Sequence, residues 1–543
     1  MRFSIFHLGI ENDGIHVGGL FEMEALAPLE GFLLEAVADG KSVSSVPGGF
    51  REFRESEGLS QTTCRFWDFT ISTDSSKPFH VSFLVRFPDG HPEPCPIDYR
   101  NNASLSEKTR TSYFRMRAWL FFSEPPYGFF ARRASFFRHV LAELRYDAWL
   151  LFKQPRRRSK AAIPIRWMAL FLRPILLKRR IWILTDRVAF ADDNGLALFR
   201  HLVSHRNEIG CHPVFFLSKD SPDWNQARLI GPVRHFTPLR YRLATLQAEW
   251  TISSSSHQTL LNPLNSVSDG YRGMAPDRKV AFLQHGITIN DVSEFLNRAN
   301  LDLDLFVAAA NPERRFLVET ESFGLDRRTV SLTGFPRYDL LVDRPEKVIT
   351  FMPTWRAHLF AGRDAKTDKK ILKEGFEDSV FYRSLCATLS NCHLLDEADR
   401  LGYRIHFFPH PEWKPFMDRF AVDPRVRKPP PETTYRDVFA KSAICVTDWS
   451  SAVFDFAWLH KPVVYYQPDD DLHYKKGYFD YERDGFGPVL HDSEELANRL
   501  IDMMNRGCPL DEPYASRVAS FFAFHDRSNC SRVARAIVEA SDS

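Results

Sequence analysis

The residues best suited to chemistry stand just after short apolar runs. The run 280–283 leads into Gln284, His285 and Gly286, and the run 330–333 into Gly334, Phe335, Pro336, Arg337, Tyr338 and Asp339. The run 349–352 leads into Pro353, Thr354, Trp355 and Arg356. The run 405–408, ending in Phe408, leads into Pro409, His410 and Pro411, and the run 443–446 into Thr447, Asp448, Trp449, Ser450, Ser451 and, one turn on, Asp455. Such runs, rich in Val, Ile and Phe and closed by polar residues or Pro, predict buried strands whose carboxyl ends carry these side chains. Ligands bind at that edge of open parallel sheets. A histidine, with a pKa of about 6.5, exchanges protons near neutrality. An arginine grips phosphate with two parallel hydrogen bonds. Ser450 and Ser451, opening a helix, offer hydroxyls and free N–H groups to an anion. The spacing of four puts Ser451 and Asp455 on one helical face. The same turn also reads as an ordinary N-cap, and a lone histidine at a strand end as a structural residue. The recurrence of such residues at five strand ends points instead to one rim.

The elements that must position this rim alternate between strand and helix. One α/β domain is expected over 181–345, beginning with Ile181-Trp182-Ile183-Leu184-Thr185-Asp186, a turn at Asp192-Asp193-Asn194-Gly195 and a helix over 196–205. A second is expected over 346–543. Two Rossmann-like, doubly wound domains facing each other across a cleft are therefore predicted.

Two different segments precede them. Residues 1–125 show short alternating stretches such as 63–71 and 79–85, punctuated by Gly, Pro, Asp and Asn. This predicts a small β-rich accessory domain, a sandwich, with a docking or interaction role. Residues 126–180 predict amphipathic helix, with helical apolar spacing from Phe129 to Lys153. From Lys153 to Arg180 there are ten basic residues and no acid: Lys153, Arg156, Arg157, Arg158, Lys160, Arg166, Arg173, Lys178, Arg179 and Arg180. Interleaved with Trp167, Phe171 and Leu172, they suit an anionic membrane interface. A helix between domains with a solvated basic face has the same pattern.

At 543 residues the chain is too long for one core. With 44% hydrophobic and 26% charged residues it is globular in type, and a net charge of +2 with pI about 8.1 argues against a nucleic-acid binder. The eight cysteines form no CxxC or metal-ligand spacing and read as reduced thiols of a cytoplasmic protein. Glu11, Asp13 and Gly18-Gly19 interrupt any apolar stretch at the start, so no signal peptide is expected. No run of 18 uncharged apolar residues could span a bilayer. No cluster of Asp and Glu demands a metal, and no cofactor is expected.

Taken in order, Gln284-His285-Gly286, Thr333-Gly334-Phe335-Pro336-Arg337-Tyr338-Asp339, Met352-Pro353-Thr354-Trp355-Arg356, Pro409-His410-Pro411 and the string from Thr447 to Phe456 resemble the CDP-glycerol glycerophosphotransferase family, bacterial enzymes that prime or polymerise teichoic-acid chains. The resemblance covers about residues 180–535 and leaves the first 150 uncovered. It implies a GT-B type fold, peripheral attachment to the inner membrane face, and transfer of glycerol phosphate from CDP-glycerol to a hydroxyl of a lipid-linked or polymer acceptor, with release of CMP. It implies His285 as the general base and His410 beside the diphosphate, offsetting charge on the transferred phosphoryl group and departing CMP. Arg337 would bind phosphate, while Pro353, Thr354, Phe408 and Pro409 would line the nucleotide. Ser450 and Ser451 would hold diphosphate oxygens, Asp455 a hydroxyl or amine of the nucleotide, and Gly286, Ile287, Thr288 and Ile289 would meet the donor. Phosphoryl transfer is mostly positioning and charge stabilisation, so these parts suffice.

One string departs from the family. Where its members commonly show Trp-His-Gly-Thr followed by Lys, this chain has Gln284-His285-Gly286-Ile287-Thr288-Ile289-Asn290. CDP-ribitol, another activated polyol or a capsule precursor is therefore open as donor. A GT-B glycosyltransferase using a nucleotide sugar in surface polysaccharide synthesis, and a non-catalytic scaffold that keeps the fold, are the alternatives.

Overall fold

The computed structural model describes residues 2–542 apart from 12–13, 25–32, 39–40, 44, 55–60, 72–77, 88, 100–103, 106–107, 118, 127, 154–159, 266–267, 364–369, 431–432 and 470–474. The chain begins as two β-sheets packed face to face. In the first, Arg2–Glu11 and Gln61–Ile71 flank Gly14–Glu24, Ser45–Arg54 pairs with Gln61–Ile71, and Ile97–Tyr99 joins the far edge. In the second, Phe79–Arg86 lies between Leu33–Ala38 and Gly128–Arg133, followed outward by Trp119–Glu124 and Tyr113–Met116. Phe79, Val81, Phe83 and Val85 are buried while the residues between them reach solvent, the period of two that a half-buried strand requires. Phe3 of one sheet meets Phe83 of the other with ring centroids 4.8 Å apart. The second sheet runs on to Arg133, past the point where composition alone changes character.

The helix expected from Phe129 starts at Phe136 instead. Phe129 and Phe130 are drawn into the sheet by antiparallel pairing with Val81 and His80. Ser135 caps the helix Phe136–Phe152, its Oγ accepting from Arg138 N–H at 3.3 Å. The second helix, Ile163–Leu176, lies beside it. These helices bury Tyr146, Leu150 and Ala162 but present Phe136, Phe137, Phe152, Phe171 and Ile175 to solvent, Phe152 at 81% exposure. Of the basic residues counted from 153 to 180, Arg166 and Arg173 are turned inward. Arg166 forms a two-pronged pair with the buried Glu143 and donates to Arg272 O at 2.9 Å, and Arg173 pairs with Asp277 at 2.7 Å. Their charge fastens the helix to the α/β body. Arg156, Arg157 and Arg158 lie outside the described residues.

The first α/β domain is a seven-stranded parallel sheet ordered Val233–His235, His212–Leu217, Ile181–Thr185, Ala248–Ser253, Lys279–Phe282, Leu305–Ala308 and Val330–Leu332. Its third strand, Ile181–Thr185, carries Trp182, Ile183 and Leu184, all fully buried, as expected of a strand covered on both faces. The second is a five-stranded parallel sheet ordered Arg404–Phe407, Val348–Met352, Ile444–Thr447, Val463–Tyr466 and Val489–Leu490.

The chain then returns to the first domain. Helix Asn529–Asp542 docks there, with Trp250 Nε1 donating to Ser541 Oγ at 2.7 Å. Asp339 caps its start, accepting from Asn529 N–H and Cys530 N–H at 3.0 and 2.8 Å. Gly334 has φ +76°, and a Cβ there would fall 1.9 Å from Asn529 Oδ1, so glycine is required on both counts. One hydrophobic cluster runs from Leu184 through Phe335 and Tyr338 to Phe454 and Trp458, joining the two α/β domains. Among the described residues no helix is long and apolar enough to cross a membrane.

Candidate active site

His285 stands on a loop that a buried network holds in place. Gln284 adopts φ 59°, unusual for a residue with a side chain, and is buried. Its Nε2 donates to Val307 O at 2.6 Å and to Glu313 Oε1 at 3.0 Å, and its Oε1 accepts from Thr288 Oγ1 at 2.7 Å. Glu313 also accepts from Thr288 N–H and Ala309 N–H, each at 2.8 Å. Complete burial pushes the Glu313 carboxyl up to about 7. Asn194 Nδ2 donates to Gln284 O at 2.8 Å from the other side. With its neighbours so engaged, His285 projects into an open cavity.

The cavity keeps His285 in contact with solvent while protein crowds it elsewhere. That crowding, followed by the nearby Arg187 and Arg337 charges, lowers its pKa below the usual histidine value, with Asp193 and a backbone hydrogen bond with Ser254 opposing. The ring is therefore neutral at pH 7, the form in which a histidine accepts a proton.

The residues following His285 point elsewhere than expected. Ile287 and Ile289 belong to the hydrophobic core, and the Thr288 hydroxyl is spent on Gln284. The side chains of Ile287, Thr288 and Ile289 are thus turned into the protein, whereas Gly286 lies against the turn of the second domain. A Cβ on Gly286 would lie 3.0 Å from Ser451 Oγ. Glycine here lets the His285 loop close against the turn that carries Ser450 and Ser451.

Arg337 and Asp455 meet each other rather than open space. Arg337 Nε and Nη2 donate to the two oxygens of Asp455 at 2.6 and 2.7 Å, Arg337 Nη1 donates to Asp193 Oδ1 at 2.7 Å, and Arg337 N–H donates to Asn194 Oδ1 at 3.1 Å. Burial raises the Asp455 pKa, against the lowering effect of Arg337. The guanidinium expected on a phosphate and the carboxylate expected on a nucleotide instead clamp the two domains together. The reason is position: Arg337 leaves the first sheet directly beneath the helix Val453–Trp458, inside the shared core.

In the second domain Asp448 organises the rim. It accepts from Thr354 N–H at 3.0 Å, Trp449 N–H at 2.7 Å and Arg356 Nη1 at 2.8 Å. Arg356 is fully buried, pairs with Asp469 at 2.9 Å and lies over the Trp449 ring. It packs and positions, as does Lys461, whose ammonium donates to the carbonyls of Phe439, Ala440 and Ser442 and pairs with Asp343 at 2.8 Å. Phe408 and Pro409 are buried and Thr354 is half-buried at the strand ends. His410 N–H donates to Pro353 O at 3.0 Å, and its Nδ1 accepts from Glu412 N–H at 3.2 Å. That leaves the proton on Nε2, free to donate. Burial, with Lys370 and Arg187 adding to it, pushes His410 down to about 4, so it is a neutral donor. Ser450 Oγ accepts from Ala452 N–H at 3.2 Å.

The structure adds residues that the strand-end pattern does not reveal. Arg187 follows strand Ile181–Thr185, and Ser254, Ser255, Ser256 and His257 follow strand Ala248–Ser253. With His285 they line a cavity of about 720 Å³. The polar run after a strand was the available signal. Among the described residues no group of three or more His, Cys, Asp or Glu is placed to hold a metal.

Residues 167–539 match the family described as CDP-Glycerol:Poly(glycerophosphate) glycerophosphotransferase. The chain is 32% identical over 387 residues to the minor teichoic acid biosynthesis protein GgaB of Bacillus subtilis, a match spanning 70% of this chain and 43% of GgaB. It is 25% identical over 204 residues to the teichoic acid poly(glycerol phosphate) polymerase of Bacillus spizizenii, spanning 33% of this chain and 46% of that one. This chain thus spans less than half the length of either relative. The solved structure of the wall teichoic acid polymerase TagF superposes with a TM-score of 0.51 at 16% identity, over 75% of this chain and 98% of that one, which shows a common fold. The chain belongs to the CDP-Glycerol:Poly(glycerophosphate) glycerophosphotransferase family.

Proposed function

We propose that the protein transfers glycerol phosphate, or a related polyol phosphate, from a CDP-activated donor to an acceptor hydroxyl in the synthesis of a teichoic-acid-like or capsular polymer, releasing CMP. The observation that carries this reading is the close approach of Gly286 to Ser451, which brings the neutral His285 to the turn suited to a diphosphate. Family membership over 167–539 supports it.

In this reaction the acceptor oxygen attacks the phosphorus that bears the polyol while His285 takes the hydroxyl proton. The bond from that phosphorus to the bridging oxygen breaks, and CMP leaves with the oxygen and its electron pair. His410 Nε2–H donates to the charge that develops there, and Ser450, Ser451 and the free N–H groups of their turn hold the remaining oxygens. Pro353, Thr354, Phe408 and Pro409 form the rim against which the nucleotide rests. Arg337 and Asp455 act indirectly, by fixing one domain against the other.

The acceptor in this reading is lipid-linked or polymeric, and the protein works peripherally on the inner face of the cell membrane. The exposed Phe136, Phe137, Phe152, Phe171 and Ile175 on adjacent helices, with Lys153, Lys178 and Arg179 exposed nearby, support docking on an anionic lipid surface. Incubation with CDP-glycerol, CDP-ribitol and UDP-sugars, reading the released nucleotide, tests the reaction. CMP is expected; release of UDP without CMP would show a nucleotide-sugar glycosyltransferase instead.

A further inference from the structure

Arg187 follows strand Ile181–Thr185 and lines the cavity beside His285 together with Ser254 and Ser255. No step of the proposed transfer uses it. The residue before it, Asp186, is buried and turned inward, accepting from Gly195 N–H at 2.7 Å, Leu196 N–H at 3.1 Å and Ser254 Oγ at 2.6 Å. The backbone at Arg187 is thereby fixed, and its carbonyl accepts from Phe190 N–H at 3.1 Å. The residue itself is exposed.

The same loop crosses to the second domain. Asp192 forms an ion pair with Arg436, and Tyr435, next to Arg436, meets Phe408 edge to face with ring centroids 5.4 Å apart. Phe408 stands two residues before His410. The loop of Arg187 thus reaches from the strand end that carries His285 toward the one that carries His410, and the Arg187 charge acts on His285, His410 and Tyr435.

Positive charge free to meet a diphosphate is scarce here. His285 and His410, both neutral at pH 7, supply a proton acceptor and a hydrogen-bond donor. Arg337 is shared by Asp193 and Asp455, Arg356 by Asp448 and Asp469, and Lys370 pairs with Glu412 at 3.3 Å. Among the described residues Arg187 has no carboxylate partner. Its guanidinium, charged at every working pH, keeps a planar fork of N–H groups for a ligand.

We propose that Arg187 is a catalytic residue whose guanidinium donates hydrogen bonds to the two non-bridging oxygens of the phosphoryl group being transferred. This assignment rests on the transferase reading above. The bond from phosphorus to the acceptor oxygen forms as the bond to the bridging oxygen breaks, the hydroxyl proton goes to His285, and CMP leaves with the electron pair. Arg187 gives up no proton. It meets the charge spread over those oxygens in the transition state more closely than in the bound donor, so it acts on kcat rather than on donor affinity.

Arg187→Gln and Arg187→Lys test this in turnover with a glycerol-phosphate trimer as acceptor and whichever of CDP-glycerol and CDP-ribitol releases CMP. Arg187→Gln should lower kcat by about a hundredfold or more, the size of losing one oxyanion donor. Arg187→Lys, which keeps the charge without the fork, should recover part. KM for the donor should change little, and the urea midpoint should stay where it was because the side chain is exposed. The acid limb of kcat/KM should move to higher pH in Arg187→Gln, since the arginine charge no longer opposes protonation of His285. A purely structural role would not produce that shift. An undiminished kcat in Arg187→Gln, a loss confined to KM for the donor, or an unmoved acid limb overturns the assignment, while CMP release by the unaltered protein keeps the transferase reading. No CMP release by the unaltered protein from either donor overturns both.

Discussion

Arg337 and Asp455 form a two-pronged buried ion pair across the two α/β domains, with nitrogen–oxygen distances of 2.6 and 2.7 Å. Asp193 takes a third N–H of the same guanidinium. Removing one partner leaves the other charged and buried, which costs about 3–5 kcal/mol. Asp455→Asn or Arg337→Gln should therefore lower the urea midpoint markedly. If Arg337 instead served chiefly as a phosphate ligand, its removal would weaken donor binding and spare stability, and the unfolding curve distinguishes the two.

His285 is neutral because burial, Arg187 and Arg337 lower its pKa. A general base works in its unprotonated form, so kcat/KM should fall on acidification through a midpoint below the unperturbed value of about 6.5. His285→Ala should reduce turnover on the order of a hundredfold to ten-thousandfold with CDP-glycerol binding retained. An acid limb above 6.5, or a variant that turns over normally, would count against His285 as base.

His410 makes the opposite use of the same chemistry. Its pKa of about 4 means that the folded protein binds this proton less readily than the unfolded chain. Between the unfolded value near 6.5 and about 4 the unfolded state holds more protons, so stability falls as pH falls through that window. His410→Gln should flatten the decline of the urea midpoint over the same interval. A bound diphosphate should raise the His410 pKa, visible as a shift of its ring resonances on titration with CDP.

The strand ends were legible because their causes are local. Alternating apolar runs, polar turns and Pro gave both α/β domains and placed His285, Thr354, His410, Ser450 and Ser451 on one rim. What could not be read was set by pairing across sequence distance. Phe129 enters a strand because Val81 lies opposite. Arg337 is consumed by Asp455, 118 residues away. Ile287 and Ile289 face the core because Gln284 turns left-handed just before them. Arg166 and Arg173 look like membrane-facing charges until Glu143 and Asp277 are placed beside them. Arg187 follows a strand end that is visible locally, but only the fold shows that it lines one cavity with His285.

The exposed aromatic face of helices Phe136–Phe152 and Ile163–Leu176 should bind vesicles containing anionic lipid, and added salt should weaken the binding. Phe136→Ser with Phe137→Ser should reduce co-sedimentation without altering the unfolding midpoint, because both rings already stand in solvent at 65% and 75% exposure. Binding that ignores both salt and these substitutions would rule the face out.

Glu313 sits behind the His285 loop and does not line the cavity. Its two oxygens accept N–H groups from Gln284, Thr288 and Ala309 at 2.8–3.0 Å, so it determines where His285 points. Glu313→Gln keeps the volume but turns an NH₂ toward groups that also donate. Leaving buried donors unsatisfied costs about 1–3 kcal/mol, and the loop should relax to avoid it. The expected result is a lower kcat with the KM for CDP-glycerol little changed, together with a modest loss of stability. Because Glu313 titrates at about 7 in the folded protein, above its unfolded value, the unaltered chain should lose this contribution as pH rises from the ordinary carboxylate range through 7. The glutamine variant lacks that ionisation, so the stability difference between the two proteins should narrow as the pH is raised. A difference that stays constant from pH 5 to 8 would show that Glu313 does not titrate there.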